Sequence, residues 1–249
     1  MAMRPERDAW REHVTHYDRA EFLAEVWDYK AGQHVTVLAP TGGGKTQLGY
    51  QLLEVTARPE LPAVVFVMKP RDATVEKFTR RAKFRIVREW PPPLRSRLQA
   101  RPPGWVLWPK TTFDPDADDS RQQAVFRAAI LESYRRGDRI LFGDETYSLE
   151  NELPRGGLQK EIRTVHTKGR SMACGMWVAS QRAAWISRWA YQAHHLFLGG
   201  ETDDDAVRRL SEIGAAVDKA LVRRIVADLR QYEFLYINRD DRTMCIIGA

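Results

Sequence analysis

Cysteine is scarce in this 249-residue chain: there are two, Cys174 and Cys245. Each lies inside an apolar, strand-like run, so both read as buried thiols of a protein kept in a reducing compartment. No Cys/His spacing of the zinc-binding kind occurs. No apolar run reaches the roughly eighteen residues a membrane-spanning helix needs, which argues against a membrane segment. The first residues, MAMRPERDAWREHVTHYDRAEF, are charged and lack the apolar core of a secretory signal. No internal repeat is visible, and no Pro/Gly/Ser-rich linker cuts the chain in two. With 43% hydrophobic residues the chain has the means to bury one large core.

Charge is present but unevenly spread. Between Lys69 and Lys110 there are twelve Lys/Arg against three acids, a local charge of +9 in a chain whose formal charge is +6. Clustered excess of this kind attracts polyanions. Trp90, Trp105 and Trp108 fall within it. Tryptophans can stack on bases, but in a stretch this rich in proline they read as packing residues.

Strand and helix patterns alternate almost throughout. An amphipathic helix is expected over 17–30 and a short apolar strand over 33–39. A helix to about Ala57 follows, and then a strand within 61–70. Helical patterns cover "DATVEKFTRRAKF" and Asp118–Arg136, with a short strand at 104–108 between them. Strands follow at "RILFGDE", "ACGMWVAS" and "HHLFLGG", with a helix-like run up to Lys168 before the second. Two further helices and the strands "YEFLYIN" and "TMCIIG", joined by "RDDR", close the chain. This order predicts an α/β fold with a mostly parallel central sheet covered on both faces. One domain is expected over 1–249, divided as a helical N-terminal segment (1–32), a core (33–213) and a C-terminal helix and β-hairpin (214–249).

The chemistry centres on the octet Ala39–Thr46, "APTGGGKT", set between a strand and a helix. That is the context a P-loop requires. Consecutive glycines let backbone N–H groups point at an anion beside a helix N-terminus. Pro40, Thr41, Gly42, Gly43, Gly44, Lys45, Thr46 and Gln47 are thus expected to hold the nucleotide. Lys45 is expected to reach the β- and γ-phosphates, and Thr46 to ligate Mg²⁺ through its hydroxyl. Alanine at 39 replaces the glycine that usually opens the motif. It ends the strand and faces no phosphate, so its cost is expected to be small.

A second carboxylate-bearing element supports the first. "RILFGDET" places Asp144 and Glu145 at the end of an apolar strand, as a Walker B motif does. Asp144 is expected to hold Mg²⁺ and Glu145 to activate water as general base. A third element, "GMWVASQR", ends a strand in a polar residue. Gln181 is the candidate sensor there, expected to bridge water and γ-phosphate, with Ser180 a weaker one.

Together these phrases resemble the FtsK/HerA superfamily of DNA-pumping ATPases. The resemblance is carried by "LAPTGGGKT", "ILFGDE" and "GRSMACGMWVASQR" and extends over roughly 33–213. "KGRS…GMWVASQ" is most like the viral genome-packaging branch. The resemblance implies a three-layer P-loop NTPase of the RecA-like, additional-strand catalytic glutamate type. It further implies ATP and Mg²⁺ as ligands, double-stranded DNA as the track and a homo-oligomeric ring of five or six subunits. A portal or capsid vertex, or another channel protein, is the implied docking partner, and the cytoplasm the implied location. In this family an arginine reaches the neighbouring subunit's nucleotide site. The candidates are Arg170 first and Arg163 second, then Arg182 and Arg188. If 157–170 is helical, Lys160, Arg163, Thr167 and Arg170 share a face. The chain departs from FtsK in lacking winged-helix and membrane regions, from HerA in lacking a β-barrel domain, and from large terminases in lacking a nuclease domain. The expectation is a motor-only protein. Plasmid or conjugative transfer, a repair-associated pump, and an assembly ATPase that binds a protein without moving DNA are the alternatives.

Overall fold

The computed structural model describes residues 11, 14–93, 100–181, 187–201, 203–213 and 218–249. Its contacts group the chain into two compact units, one comprising 1–28, 35–45 and 180–249, the other 29–34 and 46–179. The α/β fold class read from the sequence is found, with mostly parallel strands. Among the described residues no helix is long and apolar enough to cross a membrane.

The second unit holds the all-parallel part. Strands β3 (Ala63–Phe66), β4 (Arg85–Val87), β5 (Gly104–Leu107), β6 (Arg139–Gly143) and β7 (Cys174–Ser180) pair in the order β7-β6-β3-β5-β4. β3, β6 and β7 are buried at every position, as continuous apolar runs flanked by helices on both faces must be. The faces can be assigned from register. Phe66 pairs with Gly143 and therefore points away from the side on which Phe142 projects. Phe66 meets Phe126 of helix α4 (Pro115–Arg136), ring centroids 5.3 Å apart. Phe142 meets Tyr50 of helix α2 (Lys45–Thr56) at 5.8 Å, and Tyr50 stacks on Phe78 of helix α3 (Ala73–Arg81) at 4.3 Å. Helices on opposite faces of the parallel strands make three layers. The three-residue strand β4 was not legible beforehand.

Local signals set the helix ends. Asp72 caps α3 by accepting from Thr74 N and Val75 N, and Asp114 caps α4 with Pro115 in the first turn. That cap starts α4 three residues before the expected Asp118. Helix α5 (Gln159–Lys168) stops before Gly169, and residues 169–172 form a 3₁₀ turn. A Cβ at Gly169 would lie 2.4 Å from Cys174 O, and Ser171 Oγ donates to Lys168 O. Lys160, Arg163 and Thr167 are exposed along α5, but Arg170 leaves their stripe with the turn. The shared four-residue face is corrected accordingly.

In the first unit, β1 (His16–Tyr17), β10 (Thr243–Ile247), β9 (Phe234–Asn238), β8 (His195–Gly199) and β2 (Val35–Leu38) pair in that order. The β1–β10 and β8–β2 pairs are parallel, and β9 runs antiparallel to both neighbours. Asn238 Oδ1 accepts from Asp240 N and Asp241 N, which fixes the "RDDR" turn. Helices α6 (Asp204–Ile213) and α7 (Lys219–Asp228) belong to the same unit. The helix expected over 17–30 is shorter: α1 (Arg19–Glu21) passes into a π-helical turn at Phe22–Val26, and Trp27 is already extended. An Asp18/Glu21 capping box starts it. It ends because the Trp27 ring is drawn onto His195 (4.8 Å) and Phe197 (5.7 Å), beside Phe22 and Tyr236.

A buried histidine gives the fold a pH dependence. His34 Nδ1 accepts from Met176 N at 3.0 Å, and the His166 ring lies 4.9 Å from the His34 ring. Both His166 nitrogens are shielded from water without a hydrogen-bond partner among the described residues. Burial, and after it the neighbouring His34, lowers the His166 pKa from 6.5 to about 3. Above pH 6.5 both folded and unfolded chains are neutral at this site. Below it only the unfolded chain takes up the proton, so stability falls as the pH falls towards 3. Between pH 7 and pH 5 the loss is about 2 kcal/mol. In urea melts at those two pH values, His166→Leu is expected to remove that loss. An equal loss in variant and parent would show that His166 does not titrate this way.

Candidate nucleotide site

The glycine-rich loop leaves β2 in the first unit. Ala39 N donates to Ser180 O at 3.3 Å, a contact within that unit. Gly43 N donates to Pro40 O at 3.0 Å and closes a tight turn. Gly42 and Gly44 have φ of 78° and 86°, which side-chain-bearing residues rarely adopt. A Cβ at Gly42 would meet nothing within 4 Å, so the loop's face is open there. This is a cradle of backbone N–H groups with space above it.

Ala39 is 3% exposed, and its methyl fills the space a Gly199 side chain would need, 2.4 Å from where that Cβ would stand. The departure from the usual motif is thus absorbed on the buried side of the loop. Lys45 is 8% exposed, and its Nζ donates to Pro40 O at 3.0 Å across the loop. Thr41 Oγ1 donates to Gln181 Oε1 at 2.8 Å. The residue that follows β7, Gln181, therefore meets the glycine-rich loop. Gln47 is exposed on the first turn of α2.

In the second unit, Thr46 Oγ1 lies 2.9 Å from both carboxylate oxygens of Asp144. Thr46 is the last residue of the octet and Asp144 the first after β6, and the hydrogen bond joins these two side chains within the second unit. Hydroxyl and carboxylate are hard oxygen donors of the sort Mg²⁺ selects. Among the described residues no group of three or more His, Cys, Asp or Glu could enclose a metal. This suits an ion that keeps water and takes substrate phosphates as its remaining ligands.

Glu145 is held differently. Its carboxylate pairs with Lys69 Nζ at 2.8 Å, with about half of the lysine side chain exposed. The hydrogen bond to Glu145, ahead of the cost of burial, raises the Lys69 pKa. Sequence reasoning counted Lys69 only as part of a basic cluster. Adjacency was the missing information: β3 and β6 are parallel neighbours, so the residues just beyond their ends meet.

Other residues of the basic segment are also engaged. Arg81 pairs with Glu54, and Arg88 donates to Trp108 O at 2.7 Å. Lys77, Arg80 and Lys83 are exposed. The tryptophans pack as expected: Trp108 is buried with Nε1 donating to Lys69 O, and Trp90 meets Trp105 edge-on at 5.7 Å. Arg95 and Arg97 lie outside the described residues. Of the four candidate trans arginines, Arg163 and Arg170 are exposed on α5 and on the turn after it. Arg188 is exposed over the Trp189 ring, 4.6 Å from its centroid. Arg182 lies outside the described residues.

No family profile and no curated protein matches the sequence. Solved structures share its fold. The genome packaging NTPase B204 from Sulfolobus turreted icosahedral virus 2, in complex with AMPPCP, aligns with a TM-score of 0.57 at 17% identity, over 86% of this chain and 96% of that one. The same protein in complex with sulfate gives 0.60 at 16% identity, over 88% and 98%. VirB4 of Thermoanaerobacter pseudethanolicus gives 0.61 at 11% identity, over 87% and 89%. The fold implied by the FtsK/HerA resemblance is the fold found.

Proposed function

We propose that this chain is an ATP-hydrolysing motor of the FtsK/HerA kind that translocates double-stranded DNA, most like a viral genome-packaging ATPase. The observation that carries the reading is the Thr46–Asp144 hydrogen bond, between the last residue of the glycine-rich octet and the carboxylate that follows β6. The likeness in fold to a genome packaging NTPase supports it.

On this reading Gly42 and Gly44 receive the phosphates on their backbone N–H groups while Gly43 N holds the turn on Pro40 O, flanked by Thr41 and Gln47. Lys45 exchanges Pro40 O for phosphate oxygens and offsets their charge. Thr46 and Asp144 would hold Mg²⁺, which would supply neutralisation of phosphate charge. Glu145 accepts a proton from water as the water oxygen bonds to the γ-phosphorus. The bond from γ-phosphorus to the bridging oxygen breaks, releasing ADP and phosphate. A carboxylate in an ion pair is a poor base, so Lys69 must first let Glu145 go. Gln181, tied to Thr41, senses the γ-phosphate. Arg170 or Arg163 completes the site from a neighbouring subunit in a ring, and exposed Lys77, Arg80 and Lys83 offer charge to DNA phosphates.

Turnover measured with and without duplex DNA across a salt series tests this. Duplex DNA is expected to raise turnover several-fold, with the gain shrinking as salt rises because binding releases condensed counterions. If turnover is indifferent to DNA at every salt concentration, the translocase reading fails and a protein-binding assembly ATPase stands in its place.

A further inference from the structure

A cavity of about 200 Å³ borders the glycine-rich loop and lies wholly within the first unit. One wall is the loop itself, Pro40 to Gly43. The other is the segment entering β9, including Leu229, Gln231 and Tyr232. Tyr232 is unusual on three counts. It is 44% exposed, which is high for so large a ring. Its φ is 68°, a strained value for a side chain other than glycine or asparagine. Its ring packs against the loop backbone, with Cδ1 3.1 Å from where a Gly44 Cβ would be.

The strain is held in place by several contacts. Glu233 N donates to Arg230 O at 3.0 Å, and the Glu233 carboxylate takes Arg230 N at 2.8 Å and Arg11 at 3.0 Å. Tyr232 O accepts from Arg19 at 3.0 Å. A conformation fixed this way to present an aromatic ring beside a phosphate cradle calls for a ligand.

The lining also indicates which part of a ligand enters. Glu201, Glu233 and Arg230 line it, and Glu233 is already paired with Arg11, so the lining has no surplus positive charge to hold a further phosphate. A flat, uncharged heterocycle attached to the phosphates needs none. We infer, building on the nucleotide reading above, that this cavity is the nucleobase site: Tyr232 stacks on the base and Gln231 reads its edge. A glutamine amide pairs its acceptor and donor with the N6 amine and N7 of adenine, and so favours adenine over guanine.

The test is equilibrium binding to the full chain with three probes: ATP, GTP and inorganic tripolyphosphate, which has no base. Tyr232→Gly suits the backbone at φ 68° and removes only the ring. It is expected to weaken ATP and GTP by about tenfold. Tripolyphosphate should change by less than about twofold, since it makes no stacking contact. Tyr232→Asn, which also tolerates that φ, should behave alike, and Tyr232→Phe should bind ATP as the parent does. Gln231→Ala should bring ATP and GTP affinities together. If Tyr232→Gly weakens ATP and tripolyphosphate equally, the ring merely supports the loop and the base site is wrong. If it weakens neither, the base site is wrong as well. Lys45→Ala separates the two layers of the argument. Loss of both ATP and tripolyphosphate keeps the phosphate site whatever Tyr232 does, whereas retention of both overturns the nucleotide reading itself.

Discussion

Glu145→Gln is expected to slow ATP turnover by about two to four orders of magnitude, while ATP binding changes little. The substitution keeps the size of the side chain and its ability to accept from Lys69, and removes only the basic carboxylate. Phosphate release under saturating ATP, alongside equilibrium binding, separates the two effects. Turnover within about tenfold of the parent would mean that Glu145 is not the base, since a positioned base contributes far more. The prediction is sharp because Asp144 and Glu145 differ so clearly in their surroundings. Asp144 is tied to the Thr46 hydroxyl, whereas Glu145 pairs with the half-exposed Lys69.

Arg170→Ala is the other large effect expected, a fall of about 10³–10⁵ in turnover if the guanidinium meets the transferring phosphoryl group of a neighbouring subunit. Neither Arg170 nor Arg163 is buried, and each can meet a second copy of the chain. Mixing decides between them. Rings assembled from equal amounts of Arg170→Ala and Glu145→Gln subunits place an intact arginine beside an intact glutamate at roughly a quarter of interfaces. Turnover should recover to about that fraction, although each parent population is inactive. If mixing restores nothing, and Arg163→Ala mixed the same way restores nothing, neither residue acts in trans. Arg163 projects from a regular helix and Arg170 from a 3₁₀ turn.

The parallel strands were legible in the sequence because they are buried on both faces. "AVVF", "RILFG" and "CGMWVAS" have no polar side to disguise them. The glycine-rich octet and the Asp-Glu pair were legible as local spellings of a local chemistry. What escaped depends on contacts between distant positions. The N-terminal helix pattern is real as far as Val26, but a tryptophan that packs on β8 overrides it. Arg170 looked helical by spacing, yet the close approach of Cys174 O at Gly169 turns the chain first. Lys69 appeared as one charge among twelve, and only the β3–β6 pairing reveals that it neutralises Glu145. Tyr232 carried no signal at all, since neither its backbone angle nor its neighbour Gly44 can be read from composition or period.

The alanine at position 39 has a wider implication. Its methyl and any side chain at Gly199 compete for one volume, so the two positions share a single allowance of one carbon. With glycine at 39, a Cβ at 199 would still lie 3.2 Å from the Cα of residue 39, so the reverse arrangement needs a small backbone shift. The opening letter of the motif is therefore spelled jointly with a residue far along the chain. A search that scores the eight letters alone penalises the alanine and never sees the glycine that makes room for it.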